Sequence, residues 1–235
     1  MISTAPAQTL TVGTAPWIPW QMKEGEKITG ITIDILREIS TQTGITFEFE
    51  VMPHKRMMRM FQLNQIDVES IVDPAWREDQ RDISVYSVPV VITRDVILAR
   101  KDQGIEGESL EDFFGLRIGC GLGYYYPEGF QEAFEENKIL REDIPEINME
   151  NNILKMNANR IDAAIFNQQQ ALYFLKKLNQ DPDEFEVVYE FAPSPLSMRL
   201  HVSHRELLPM INKTIENMKV NGRIDAIVKK YILNP

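Results

Sequence analysis

The chain has one cysteine, Cys120, so no disulfide can close within it. Three histidines, His54, His201 and His204, offer with that cysteine no spacing of metal ligands, and neither metal nor cofactor is expected. Cys120 lies in an apolar, glycine-rich stretch with no histidine near it in sequence, which reads as a small core residue rather than a nucleophile. Basic charge is also scarce. Lys and Arg number 25 against 35 Asp and Glu, a formal net charge of −10 with no basic run, which argues against a nucleic-acid partner. No apolar stretch approaches the length needed to cross a bilayer. Met1–Pro6 holds neither a basic region nor an apolar run. No leader peptide is therefore read there, and an export signal is taken to have been removed ahead of it.

What is present is ordinary globular material. The 235 residues are 43% hydrophobic and 26% charged, enough for one large domain or two small ones with ample core. The chain is organised around the stretch from Ile66 to Pro89. Ile66 to Val72 reads as a short strand that ends at the turn signal Asp73-Pro74. The charged segment Trp76 to Asp82 follows, with Arg77 and Arg81, and then β-branched and aromatic residues to Pro89. A strand emptying into a loop or helix start that bears arginine suits an anion. The guanidinium fork matches a carboxylate, and free backbone N–H groups add to it. The alternative is a solvated turn in which Glu78, Asp79 and Asp82 neutralise both arginines.

Before that stretch the pattern is strand (Leu10 to Thr14), helix (from Gly30 to Gly44) and strand (Ile45 to Val51). A helix opened by Pro53 follows, with Met57, Met58, Met60, Phe61 and Leu63 at helical spacing for core packing. Ala15 to Trp20 is a proline-stiffened aromatic loop, either a lid on the core or a wall of a pocket. Alternating strands and helices predict an α/β layer with a parallel sheet whose ligands collect beyond the strand C-termini. Val90 to Arg100 reads as one long apolar strand leading out of this sheet into a second body.

The second pattern runs helix (Leu110 to Phe114), strand (Leu116 to Cys120), helix (Phe130 to Asn137), strand (Ile144 to Ile147) and helix (Asn152 to Asn157). The Gly121-Leu122-Gly123 loop lacks a third glycine and a following acid, which excludes a dinucleotide fingerprint. Asn159-Arg160-Ile161-Asp162-Ala163 then echoes Asn64-Gln65-Ile66-Asp67-Val68, each a helix, polar turn, Ile-Asp and apolar strand. The echo predicts two bodies built alike. A helix from Gln168 to Leu178 and strands over Phe185 to Phe191 and Leu196 to Val202 come next. Helices over Arg205 to Lys219 and Gly222 to Ile232 close the chain, the last capped near Asn221.

Several motifs in this order resemble the periplasmic solute-binding proteins of family 3, the polar amino-acid receptors of ABC importers. They are Val12-Gly13-Thr14 with Trp17-x-Pro19-Trp20, Gly30-Ile31-Thr32-Ile33-Asp34, and Ile66-Asp67 with an Arg and Tyr86-Ser87-Val88-Pro89. Leu116 to Gly123, Arg160 to Ala164 and Gly222 to Ile232 complete them, so the resemblance covers nearly the whole chain. It implies a periplasmic-binding-protein-like fold, two α/β lobes joined by two crossing strands with a ligand cleft between them. Residues 1–97 and 196–235 would form lobe 1, and 98–195 lobe 2. It also implies a monomer in the periplasm that hands a small, carboxylate-bearing ligand to a membrane permease.

Residue by residue, the resemblance places Trp17 at an aromatic wall and Arg77 near the carboxylate-binding arginine. The spacing from Asp67 is short, which leaves Arg81 as a competitor. Gly123 and Tyr124 fall where a small residue and a hydroxyl residue contact the ligand carboxylate, the tyrosine narrowing the pocket. Ile71 to Trp76 replaces a Ser/Thr-rich ligand loop, which makes Asp73 and Trp76 candidate contacts. Asn167 stands where these receptors carry an Asp for the ligand ammonium. Losing that charge points to an anion other than a standard α-amino acid, unless Asp73 restores it. Arg56 and His54 either add positive charge to the cleft or sit on an exposed helix face. Two further readings are a receptor's extracellular sensor module and a dehydratase or lyase on the same fold. The last would need a positioned acid or base, for which Glu69 and Asp73 are the nominees.

Overall fold

A computed structural model describes residues 8–233, so the reading of Met1–Pro6 lies outside the described residues. The chain forms two compact units, one of 8–92 and 194–231, the other of 93–193 with 232–233. The first passage between them comes before residue 97 because the strand expected to be one piece is two. Arg94 interrupts it, and the segment from Asp95 onward pairs throughout with strands of the second unit.

The first unit opens with β1 (Thr9–Thr14), a hairpin of β2 (Met22–Glu24) and β3 (Lys27–Thr29), α1 (Ile31–Thr43) and β4 (Thr46–Val51). It continues with α2 (His54–Gln62), β5 (Val68–Val72), β6 (Ser84–Tyr86) and β7 (Val91–Thr93), which reaches the passage. The second unit holds β8 (Asp95–Arg100), β9 (Arg117–Gly121), α3 (Phe130–Glu135), β10 (Leu140–Ile144), α4 (Asn151–Asn157), β11 (Ala163–Asn167), α5 (Gln168–Lys177) and β12 (Phe185–Glu190). The chain returns through β13 (Ser194–His201) and ends in α6 (Leu208–Val220) and α7 (Arg223–Leu233).

Each unit has a mixed sheet rather than the all-parallel one expected. In the first, the order is β4-β1-β5-β13-β6 with β7 beside β13. There β1 runs parallel to β4 and β5, and β13 antiparallel to β5 and β6. In the second the order is β10-β9-β11-β8-β12, with β9 parallel to β10 and β11. β8 is antiparallel to β11 and β12. The α/β alternation makes the parallel part of each sheet. The antiparallel part comes from strands on which the chain enters or re-enters a unit, with no crossover helix to enforce parallel pairing.

α1 shows why its sequence folds where it does. Ile31, Ile35, Leu36 and Ile39 lie on one face and are buried in one core that also holds Val12, Val68 and Met198, each such side chain worth about 1.5–3 kcal/mol. Gly44 closes the helix in the left-handed conformation, φ +78°. At the other end Gly30 has φ +127°, and a Cβ there would stand 2.4 Å from the Trp20 carbonyl oxygen. Ile31 N and Thr32 N donate to the carbonyls of Pro19 and Trp20, stitching the aromatic loop to the helix start. The second core gathers Ile97, Phe113, Ile118, Cys120, Phe130 and Ile165, among others. Cys120 is buried there, its thiol pushed up to about 12 by burial, as befits an inert core residue.

Three further expectations change. The strand sought over Ile144 to Ile147 is β10, which ends at Ile144, and Pro145 turns the chain into a short 3₁₀ turn over Glu146–Asn148. The helix sought from Arg205 begins at Leu208, after a 3₁₀ segment over Val202–Leu207. The segment after Asp73 is a 3₁₀ stretch, Pro74–Ile83, broken by non-helical backbone at Arg77 and Gln80.

Candidate functional site

In the first unit β5 carries Glu69 into the protein, buried to 4% exposure, and two arginines meet it there. Arg77 Nε donates to Glu69 Oε2 at 3.1 Å and Arg77 Nη2 to Oε1 at 2.5 Å. From β13, Arg199 Nη1 donates to Oε2 at 2.7 Å. Arg199 is fully buried. Its Nε donates to Ser84 Oγ at 2.9 Å, its Nη2 to Gln80 Oε1 at 2.6 Å, and its guanidinium lies 3.9 Å from the Phe61 ring centroid. Burial alone would raise the Glu69 carboxyl, but the two guanidiniums outweigh that and hold it below its usual range. Glu69 is therefore a poor general acid. Two guanidiniums against one carboxylate leave this cluster one positive charge in excess.

Arg77 is the enclosed arginine, with an 11% exposed side chain, whereas Arg81 is 71% exposed and pairs with Glu78 at 2.6 Å on the surface. The Arg77 fork is not open, however. Its Nη1 donates to the Trp76 carbonyl at 2.9 Å and its Nη2 also reaches His54 Nε2 at 3.0 Å. Four of its five N–H groups thus have protein acceptors, and the bidentate edge belongs to Glu69. What remains is a fixed charge and one N–H rather than a free fork. Desolvation, and then the Arg77 cation, lower the His54 pKa, so the imidazole is neutral and accepts from Arg77. The helix-start N–H groups are not open either. Asp73 caps the 3₁₀ segment, its Oδ1 accepting from Ala75 N at 2.9 Å and its carbonyl from Trp76 N.

Aromatic side chains flank this cluster. Trp20 is in the core, and Trp17, half-buried, stacks on it at 5.4 Å and meets Trp76 edge-on at 6.3 Å. Trp20 seals the core, while Trp17 is half-buried and Trp76 is 47% exposed. Arg56 is exposed on α2 and has no side-chain hydrogen bond among the described residues. The methionines of α2 do pack, Met57 in the core with Phe61. Met58 Sδ additionally lies 3.8 Å from Arg199 Nη1.

In the second unit Asn167 ends β11 and caps α5, its Oδ1 accepting from Gln169 N at 3.3 Å. Its Nδ2 donates to Thr93 Oγ1 at 2.9 Å and to the Arg94 carbonyl at 3.3 Å. Directly across the antiparallel pair stands Asp95, whose carboxylate hydrogen-bonds Asn167. Asp95 was not among the residues expected from sequence. The one available signal was a charge placed at the mouth of an otherwise apolar strand. Tyr124 Oη donates to Glu146 Oε2 at 2.9 Å, and Gln170 Nε2 to Glu146 Oε1 at 2.6 Å. Burial first, and then Glu146, raise the Tyr124 phenol pKa, so it stays a donor. Gly123 has φ +79° with open space around it, so the turn conformation, not crowding, calls for glycine. Asp73 belongs to the first unit and Asn167 to the second, and each caps the helical segment that follows it.

Two α/β units, each with acceptor and donor side chains gathered at the ends of its strands, define the periplasmic-binding-protein-like fold, the Venus-flytrap type. The chain belongs to the bacterial extracellular solute-binding proteins, family 3, which it matches over residues 10–234. It is 27% identical over 229 residues to the arginine-binding extracellular protein ArtP of Bacillus subtilis, covering 94% of this chain and 85% of ArtP. It is similar in structure to an ancestral arginine-binding protein bound to arginine, with TM-score 0.71 and 25% identity, over 95% of this chain and 97% of that one. A histidine kinase sensor domain with similarity to periplasmic binding proteins shares the fold at TM-score 0.74 and 19% identity, over 95% and 96% of the two chains. Among the described residues no helix is long and apolar enough to cross a membrane.

Proposed function

We propose that this solute-binding protein captures a small carboxylate-bearing solute and delivers it to the permease of an ABC importer. The observation that carries this reading is the excess positive charge at Arg77. Glu69 is already matched by the fully buried Arg199, so Arg77 keeps a charge to offer, next to the Trp17–Trp76 surface. Similarity to an arginine-binding protein supports an amino acid or a close relative as the ligand class. Sensing is the second reading, since a kinase sensor domain shares the fold.

The test is a thermal-shift screen of the purified protein against amino acids, di- and tricarboxylates, polyamines and sugars. A ligand at a hundredfold excess over its dissociation constant adds about 2.7 kcal/mol of stability. A shift with carboxylates that Arg77→Ala abolishes and Arg81→Ala leaves intact supports the reading. A shift restricted to polyamines or sugars, or one that survives Arg77→Ala, overturns it. Ligand-dependent uptake in cells that carry the permease separates import from sensing.

A further inference from the structure

Among the described residues, five side chains meet the buried guanidinium of Arg199 by a hydrogen bond or a ring contact. Its Nε donates to Ser84 Oγ and its Nη2 to Gln80 Oε1, and the Phe61 ring lies against it. Its Nη1 donates both to Glu69 Oε2 at 2.7 Å and to Met58 Sδ at 3.8 Å. Ser84, Gln80, Glu69 and Phe61 are buried, each at 8% exposure or less. Met58 is half-buried. Of the five it alone carries an oxidisable sulfur. Its place on α2 explains the exposure. Met57 and Phe61, four residues apart, turn into the core, and Met58, one position on, packs at the margin of their cluster. A thioether is a weak acceptor, yet this one takes an N–H that a fully buried cation must place somewhere. Oxidation to the sulfoxide changes the contact in kind. An oxygen bonded to sulfur along the 3.8 Å line would stand closer to Nη1 than an N–H···O bond allows, about 2.7–3.2 Å. Either Arg199 gives way and leaves Glu69, or the polar sulfoxide swings out and leaves the N–H without an acceptor. Both loosen the cluster.

We propose that Met58 is a site of reversible oxidative modification, through which peroxides act on the Arg199–Glu69 cluster. The thioether sulfur attacks one oxygen of hydrogen peroxide, and the O–O bond breaks as the S–O bond forms. The proton of the transferred oxygen passes to the departing hydroxide, which leaves as water. Sulfur is oxidised by two electrons and the peroxide reduced by two. Methionine sulfoxide reductases, one for each epimer, reverse the step. Glu69 carries the consequence. While Arg199 is matched to it, Arg77 keeps a surplus charge, and where Arg199 lets go, Glu69 neutralises Arg77 instead. That last link rests on the carboxylate reading, whereas the modification site does not.

Dilute hydrogen peroxide on the purified full chain, followed by peptide mass mapping and urea unfolding, tests this. Met58 is expected to oxidise with the half-buried Met60 and the exposed Met210, ahead of the buried Met57, Met198 and Met218. The unfolding midpoint should fall in step with Met58 sulfoxide. The folding equilibrium constant should drop at least about tenfold, the loss expected for one hydrogen bond to a charged group. Methionine sulfoxide reductases should restore it, a comparison within wild type that needs no variant. Met58→Leu, of similar volume, should oxidise at Met60 and Met210 with no further fall in its midpoint. An unchanged midpoint at full Met58 oxidation overturns the proposal, as does an equal fall in oxidised Met58→Leu. So does a Met58 that stays reduced until Met57 is oxidised. Carboxylate binding by the oxidised protein is a separate readout. Undiminished affinity alongside a lowered midpoint leaves the modification site standing and overturns the role of surplus charge at Arg77.

Discussion

Asp67 and Asp162 make the same bond in the two units. Asp67 Oδ2 accepts from Thr11 N and Asp162 Oδ2 from Arg117 N, both at 2.7 Å, and each aspartate's own N–H returns to the carbonyl of the same residue. Each thus fastens one parallel strand to the turn that enters the next. Each also has a basic neighbour, His204 Nε2 at 2.8 Å from Asp67 Oδ1 and Arg117 Nη2 at 2.6 Å from Asp162 Oδ1. The Ile-Asp echo in sequence is therefore a repeated structural part, not a repeated ligand site.

Replacing Asp162 tests that part. The Arg117 hydrogen bond, opposed by partial burial, holds the Asp162 carboxyl below its usual range. Its folded pKa is depressed, so its stabilisation is present above the ordinary carboxylate value near 4 and is lost as pH falls through the lower folded value. Asp162→Asn is expected to lower stability by about 1–2 kcal/mol at pH 7, and by less at pH 3, in urea unfolding. An equal loss at both pH values would refute the electrostatic account.

Arg199 is expected to be indispensable to the first unit. Arg199→Met leaves Gln80, Ser84 and one side of Glu69 without their buried donor. Breaking such a pair costs about 3–5 kcal/mol. Ligand affinity should fall too, since Glu69 would then neutralise Arg77. A folded Arg199→Met variant with undiminished carboxylate binding would show that Arg77 needs no surplus charge.

Gly30 is limited both by conformation and by space. Gly30→Ala drives a Cβ into the Trp20 carbonyl, at φ +127°, and is expected to cost about 3 kcal/mol or more. Gly25, also at positive φ but with open space around it, serves as the control. Gly25→Ala should cost only about 1 kcal/mol by the same denaturation measurement.

Asp95 gives a pH dependence of the opposite sign to Asp162. Burial pushes its carboxyl up to about 6, against the Asn167 hydrogen bond. The folded group holds its proton more tightly than the unfolded one. Its contribution is therefore most favourable below about 4 and is lost as pH rises through about 6. Tyr124, Tyr126 and Asn167 face it, and Arg94 beside it is paired with Glu190, so among the described residues no cation pairs with it. Asp95→Asn should make the ligand-free protein more stable than wild type at pH 7.5 by on the order of 2 kcal/mol, with the difference gone by pH 4. A variant no more stable than wild type at pH 7.5 would contradict an unfavourable ionisation of Asp95 in the folded protein.

Much of this protein was legible in its residues. The 3.6-residue spacing of Ile31, Ile35 and Ile39, the turn at Asp73-Pro74 and the Ile-Asp echo are local patterns, and local backbone preferences and burial of one face suffice to realise them. Their order along the chain also carried the family. Arg77 could not be told from Arg81 by sequence, because both lie in one short charged stretch. The kinks at Arg77 and Gln80 decide that one turns in to Glu69 and the other out to Glu78. The two arrangements that matter most for charge were beyond any local pattern. Arg199 reaches Glu69 because β13 returns to pair with β5, and Asp95 faces Asn167 because β8 pairs antiparallel with β11 in one register. Periodicity reports on neighbours along the chain. Charge balance depends on distance through space, and only the pairing of distant strands sets that distance.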